Sequence, residues 1–283
     1  MGKKLTTSYL TIKEVQLYML NIFDDVLTFL DENDIPYVLT GGSALGAIRH
    51  RGFIPWDDDI DLAIPRDAYN RFLSEYKPKN KNYELISLDT SENPDISYLR
   101  VVDVRTASSN KLLNVNNGIF VDIFPLDHVS DSEFLQKMDY YKMKTLDVLR
   151  NSTRRIGYRK SESGMKRLIK QTMVKIFARK PISYYAGKMN KLAIKLNERH
   201  KNSSTMSLSV VQGINKLREN MEADIYTTNR RKAIFEGREV YVPSEDYLLN
   251  MFGASYMMIP ESHKSHGKFY LINEKDNAEG VTE

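Results

Sequence analysis

The 283-residue chain contains no cysteine, which excludes disulfides, thiol catalysis and cysteine-ligated zinc. It also lacks any apolar run of the roughly 18 residues that a membrane-spanning helix requires. The basic start Met1-Gly2-Lys3-Lys4 is followed by Glu14, Asp24, Asp25 and Asp31, so no secretory apolar core forms. These absences predict a protein of the reducing cytoplasm whose membrane contact, if it has one, is peripheral at the inner face of the cell membrane. There is no HExxH pair among the five histidines, no glycine-rich loop ending in Lys-Ser/Thr and no GxGxxG. Zinc hydrolysis, P-loop chemistry and Rossmann redox chemistry therefore have no support. A net charge of +4 is too small to imply a nucleic-acid partner.

What is present is patterned. Ile12, Val15, Met19, Ile22, Val26 and Phe29 recur at helical spacing, with Thr11 and Glu14 in capping-box positions and Asn33-Asp34-Ile35-Pro36 as the stop. Tyr37 to Thr40 reads as a short buried strand leading into Gly41-Gly42-Ser43, and Ser43 to Ile48 as the helix after it. Ile60 to Ile64 alternates like a strand that Pro65 ends, and a helix carrying Ala68, Phe72 and Leu73 follows. Tyr83 to Leu88, Tyr98 to Val104 and Gly118 to Phe124 are further strand candidates. Alternating helix and strand predicts an α/β (α+β) core with a mixed sheet over 1–130.

From Asp131 the period turns helical, which predicts a helical second half over 131–240, a segment 241–271 packing back on the core and a polar tail over 272–283. Within it, cations cluster from Arg150 to Lys180 against the single acid Glu162, a distribution suited to phosphates or an anionic membrane.

The chemistry concentrates in Trp56-Asp57-Asp58-Asp59-Ile60-Asp61-Leu62. Carboxylates two apart on a strand share a face, so Asp59 and Asp61 are the pair best placed to hold a divalent cation. A solvated, Asx-capped turn is the alternative, opposed by the apolar Trp56, Ile60, Leu62 and Ile64. Asp122 stands alone in the apolar run Phe120-Val121-Asp122-Ile123-Phe124, where burial is costly unless it is paired or metal-bound. It is the third candidate, as ligand or general base, whereas Asp127 is read as shaping its loop. Gly41, Gly42 and Ser43 form a turn that could cradle a phosphate or simply cap the next helix. Arg49 and Arg51 could neutralise a diphosphate, and His266 could contact a phosphate or the donor. Trp56, Tyr226, Tyr241, Tyr247 and Tyr256 could cage a quaternary ammonium, or serve as core and rim. Arg100 and Arg105 could reach the acidic edge or form ordinary ion pairs.

The run from Thr40 to Leu62, with Gly118 to Asp127 as a second block, resembles the LicD family of phosphotransferases. Val242 to Leu249 and Phe252 to Met257 resemble the family's tail, with departures at Phe252 and Ala254, and His266 matches its final histidine. The resemblance implies a nucleotidyltransferase-like fold, with Gly42 and Ser43 in the glycine-serine turn, Asp59 and Asp61 as paired metal carboxylates and Asp122 as the third acid. It further implies Mg²⁺ or Mn²⁺ as cofactor and CDP-choline as leading donor, with CDP-activated glycerol- or ribitol-phosphate behind it. The acceptor would be a lipid-linked oligosaccharide or teichoic-acid precursor. True nucleotidyl transfer, and a glycan- or choline-binding module without catalysis, are the rival readings.

Overall fold

The computed structural model describes residues 8–92, 94–108, 118–158, 164–177, 179–208, 217–259 and 268–272. The first helix, α1 (Ile12–Glu32), is closed by the expected capping box: Thr11 accepts from the Glu14 N–H while the Glu14 carboxylate accepts from Thr11. Its buried stripe, Val15, Met19, Ile22, Phe23, Val26, Leu27 and Leu30, follows the 3.6-residue period. Asn33 ends it, and the left-handed Asp34 turns the chain toward the sheet. Next come β1 (Val38–Leu39), α2 (Gly41–His50), β2 (Asp61–Pro65), α3 (Arg66–Glu75), β3 (Tyr83–Ile86), β4 (Leu99–Asp103), β5 (Thr106–Ser108) and the long β6 (Ile119–Val129).

Three helices follow, α4 (Glu133–Thr153), α5 (Gly164–Phe177) and α6 (Ile182–Arg199). After Arg199 the chain returns to strands, which the helical periodicity before it did not announce. They are β7 (Thr205–Leu208) and β8 (Met221–Glu222), then the turn α7 (Ala223–Tyr226) and the hairpin β9 (Arg231–Phe235) and β10 (Arg238–Val242). The short α8 (Glu245–Phe252) and β11 (Phe269–Leu271) complete the described fold. The hairpin turns through Glu236 and Gly237, both at positive φ, the two-residue geometry that matches strand twist.

The main sheet runs β1-β2-β6-β4-β3, with β7 on the far half of β6 and β8 beyond it. It is mixed: β2 is parallel to β6, and the other pairs are antiparallel. This is the α+β architecture expected. β6 is the axis of the sheet. On one side it pairs with β2; on the other it pairs with β4 through residue 123 and with β7 from residue 126. The Asp122 N–H donates to Ile60 on the β2 side. By alternation, the N–H that Pro125 lacks would face the opposite side, at the gap between β4 and β7. A proline thus sits inside an eleven-residue strand without costing a ladder bond.

The core extends from α1 across the sheet and takes in Phe235, Val240, Val242, Tyr247, Leu248, Met251 and Phe269 from the C-terminal third. Met143, Met189 and Ala193 form a small separate cluster between α4 and α6. Among the described residues no helix is long and apolar enough to cross a membrane.

Candidate active site

Strand register builds the site. Asp61 on β2 is the cross-strand partner of Asp122 on β6, and Asp122 is the partner of Arg100 on β4. Register partners project to the same face about 5 Å apart. Acid, acid and base therefore form one row across three adjacent strands. The Arg100 guanidinium grips Asp122 with Nε at 2.6 Å and Nη2 at 2.8 Å, and the Tyr98 hydroxyl accepts from Nη2 at 3.3 Å. Arg100 also lies over the Phe120 ring, 3.6 Å from its centroid.

Asp59 precedes β2 rather than lying in it, yet its charge acts on Asp61. Asp61 keeps some exposure, but surrounding protein displaces most of its water, and this raises its pKa well above the ordinary carboxylate value. The charges of Asp59, Asp122 and Asp57 push it further, opposed by Arg100. Burial also raises Asp122, against the pull of its Arg100 partner, whose own pKa is elevated. Asp58 is buried as well.

The glycine turn closes over this row. Gly41 has φ +54°, a conformation glycine adopts without strain, and a β-carbon there would lie 3.4 Å from Asp61 Oδ2. At Gly42 a β-carbon would meet Asp57 Oδ2 at 2.5 Å. The Ser43 hydroxyl accepts from the Asp61 N–H at 2.9 Å and the Asp61 carbonyl accepts from Thr40, so turn and strand are bonded to each other. Ser43 is itself buried, and a hydroxyl that accepts one bond keeps its own proton to donate. Gly41 donates its N–H to the Tyr247 hydroxyl at 2.8 Å. Burial holds that phenol well above its usual pKa, so it stays protonated.

The other cations lie elsewhere. Arg49 is at the opposite end of α2, about 12 Å along the helix from Gly41, where its guanidinium donates to the carbonyls of Tyr256 (2.8 Å) and Met258 (3.0 Å). Arg51 is the exposed left-handed cap of that helix. His266 falls outside the described residues. Asp127 is fully buried in a bidentate pair with Arg66, which ties the start of α3 to β6. Arg105 pairs with Asp103. The aromatic residues do not converge on a cage: Tyr226 and Tyr247 meet edge to face in the core, Tyr241 packs on Arg230, and Tyr256 donates to Glu245. Of the two arginines read as reaching the acidic edge or forming ordinary ion pairs, Arg100 lies on the acids while Arg105 does not; Tyr247, read for a cage or the core, is core and accepts from the glycine turn.

Among the described residues no three His, Asp or Glu side chains converge as a ready-made metal cage. The donor set nonetheless fits a hard divalent cation. Mg²⁺ is held through one or two carboxylates with water and substrate phosphate completing its shell, and beyond the burial that chiefly raises Asp61, the repulsion from its acidic neighbours is what such an ion relieves. Asp59 and Asp61 are the residues that would hold it.

Residues 34–149 match the family described as LicD/FKTN/FKRP, nucleotidyltransferase domain, a span that encloses the glycine turn and all three acids. The chain is 38 % identical over 124 residues to the lipopolysaccharide cholinephosphotransferase LicD of Haemophilus influenzae, covering 42 % of this chain and 46 % of that protein. It is 37 % identical over 68 residues to an uncharacterised Rickettsia typhi protein, 23 % of this chain and 21 % of the relative. It is 51 % identical over 39 residues to human ribitol 5-phosphate transferase FKRP, 14 % of this chain and 8 % of the relative. The matches thus span less than half the length of each of these relatives.

Proposed function

We propose that this chain, which carries a LicD-family nucleotidyltransferase domain over residues 34–149, is a metal-dependent phosphotransferase. It moves a phospho-alcohol from a CDP-activated donor to a hydroxyl of a cell-surface glycan or teichoic-acid precursor. The observation that carries the reading is the register-built row Asp61-Asp122-Arg100 beneath the Gly41-Gly42-Ser43 turn. Phosphocholine from CDP-choline is the first donor assignment, by analogy with the cholinephosphotransferase relative. Ribitol-phosphate is the second reading, from the FKRP match, with glycerol-phosphate behind it.

With the Gly41 N–H held by Tyr247, the N–H groups of Gly42 and Ser43 and the Ser43 hydroxyl orient the donor diphosphate. Asp59 and Asp61 would hold Mg²⁺ or Mn²⁺, which would supply charge neutralisation at the diphosphate. The acceptor oxygen bonds to the phosphorus that carries the alcohol, the bond from that phosphorus to the bridging oxygen breaks, and CMP leaves. Asp122 takes the hydroxyl proton, and Arg100 keeps that carboxylate facing the reacting group.

Purified protein should be incubated with CDP-choline, CDP-ribitol or CDP-glycerol plus glycan precursor, following CMP release and product mass. Release of CMP with a mass gain of one phospho-alcohol supports the assignment. Pyrophosphate release from CTP with a nucleotidylated product would replace it with nucleotidyl transfer, and donor binding without turnover would replace it with a binding module.

A further inference from the structure

Helix α5 fully buries none of its side chains, and beside the half-buried Met173, Val174 and Phe177 it carries a second apolar face. At 100° per residue, Met165, Leu168, Ile169, Thr172 and Ile176 fall within an arc of about 100°. That arc faces solvent: Met165 is 70 % exposed, Leu168 57 %, Ile169 53 % and Ile176 57 %. The half-buried residues, Lys170, Gln171, Met173, Val174 and Phe177, lie toward the other side. Lys166 and Lys175 border the apolar arc, Arg167 and Lys170 add to the charge, and the helix contains no acid. Helix α4, which packs against α5, carries its own outward row of Phe134, Met138, Tyr141 and Val148.

We infer that α5 docks on an anionic lipid bilayer, its Met165-Leu168-Ile169-Ile176 face entering the acyl boundary while Lys166 and Lys175 meet the headgroup charge. Apolar outward residues bordered by lysine are the composition of an interfacial helix. Charge decides the occupant. A second copy seated symmetrically on this face would oppose Lys166 and Lys175 of one α5 to those of the other, with no acid on either helix to offset them, whereas an anionic surface attracts both flanks. The inference stands independently of the proposed chemistry, since it concerns a surface on other elements than the acidic row.

The test is co-sedimentation of the full chain with vesicles of phosphatidylcholine alone or mixed with phosphatidylglycerol. The parent should bind the mixed vesicles, and bind them less as salt rises. A Leu168→Glu/Ile169→Glu variant, altered only at exposed positions, should keep its melting temperature and lose at least about tenfold in vesicle affinity. A Leu168→Trp variant should blue-shift its emission on mixed vesicles. Failure of the parent to bind mixed vesicles, or equal binding by the Glu variant, overturns the inference. So does a dimer that forms without lipid and dissociates in the Glu variant, which would give this face to a second copy.

Discussion

Asp61→Asn should stabilise the ion-free protein while abolishing transfer. Asp61 lies across one strand spacing from Asp122, with Asp59 and Asp57 also acting on it. Two unit charges about 5 Å apart repel by about 3 kcal/mol at an effective dielectric near 20. Burial of the charge adds to this, while Arg100, two strands away and bound to Asp122, offsets only part of one such contact and partial exposure of Asp61 screens the rest, which leaves about 1–2 kcal/mol against folding. In a chain of this size that corresponds to about 2–5 °C in melting temperature. The pH dependence has a definite sign. Folded Asp61 holds its proton more tightly than the unfolded chain does, so its contribution is favourable below the ordinary carboxylate pKa and is lost as pH rises through the elevated value. The advantage of asparagine should be negligible near pH of about 4 and grow toward neutrality. Calorimetric melting in chelator across that range measures it, and added Mg²⁺ should raise the parent more than the variant. An asparagine variant that melts no higher than the parent at neutral pH, or whose advantage is undiminished in acid, would refute the argument.

Two glycines of α2 should separate site from fold. Gly42→Ala meets only the end of the Asp57 side chain, so it should cost below about 1 kcal/mol in stability yet reduce turnover at least tenfold. Gly46→Ala drives a β-carbon to 2.5 Å from the Gly52 carbonyl, so it should destabilise by about 1–3 kcal/mol in urea titration. Tyr247→Phe leaves the Gly41 N–H without its acceptor and should cost about 1–3 kcal/mol while raising KM for the donor more than it lowers kcat. Arg100→Met strands buried Asp122 and should cost about 3–5 kcal/mol, most of it recovered in the Arg100→Met/Asp122→Asn double variant.

The candidate site was legible where chemistry and local pattern coincide. Asp122 announced itself as a lone acid in an apolar strand, and β6 is such a strand. Arg100 carried the mirror signal, a lone cation between Leu99 and Val101-Val102, and reading the two together would have paired them. Tyr247 had no local signal, because its bond to Gly41 spans 206 positions and is set by tertiary packing alone. Arg49 and Arg51 were drawn toward the acids by proximity in sequence, but the helix between them and the glycine turn carries them away from it. The cation cluster dissolved in part for a related reason: Arg150 turns inward to Asp147 and Arg154 to Asp95, charges that a local count does not see. Short strands such as β7 and β8 escaped because two to four residues give no readable period.

Helix α2, which presents the turn, is held at both ends by chain from beyond residue 235. Tyr247 receives Gly41 at its start, Arg49 grips the carbonyls of Tyr256 and Met258 near its end, and the Glu236 carboxylate accepts from Phe53 just past it. Phe235 packs on Phe53 and Phe23, ring centroids 4.9 and 5.9 Å apart, and so joins the hairpin to α1 as well. The family match ends at residue 149, so it contains every acid of the site and none of these supports. A fragment of residues 1–149 should accordingly show no cooperative thermal transition by circular dichroism and no turnover, since losing these contacts uncovers Val38, Leu39 and Ala44 along with the rest of a shared core. A fragment that melts cooperatively and transfers phosphate would show that the glycine turn needs no clamp from the C-terminal third.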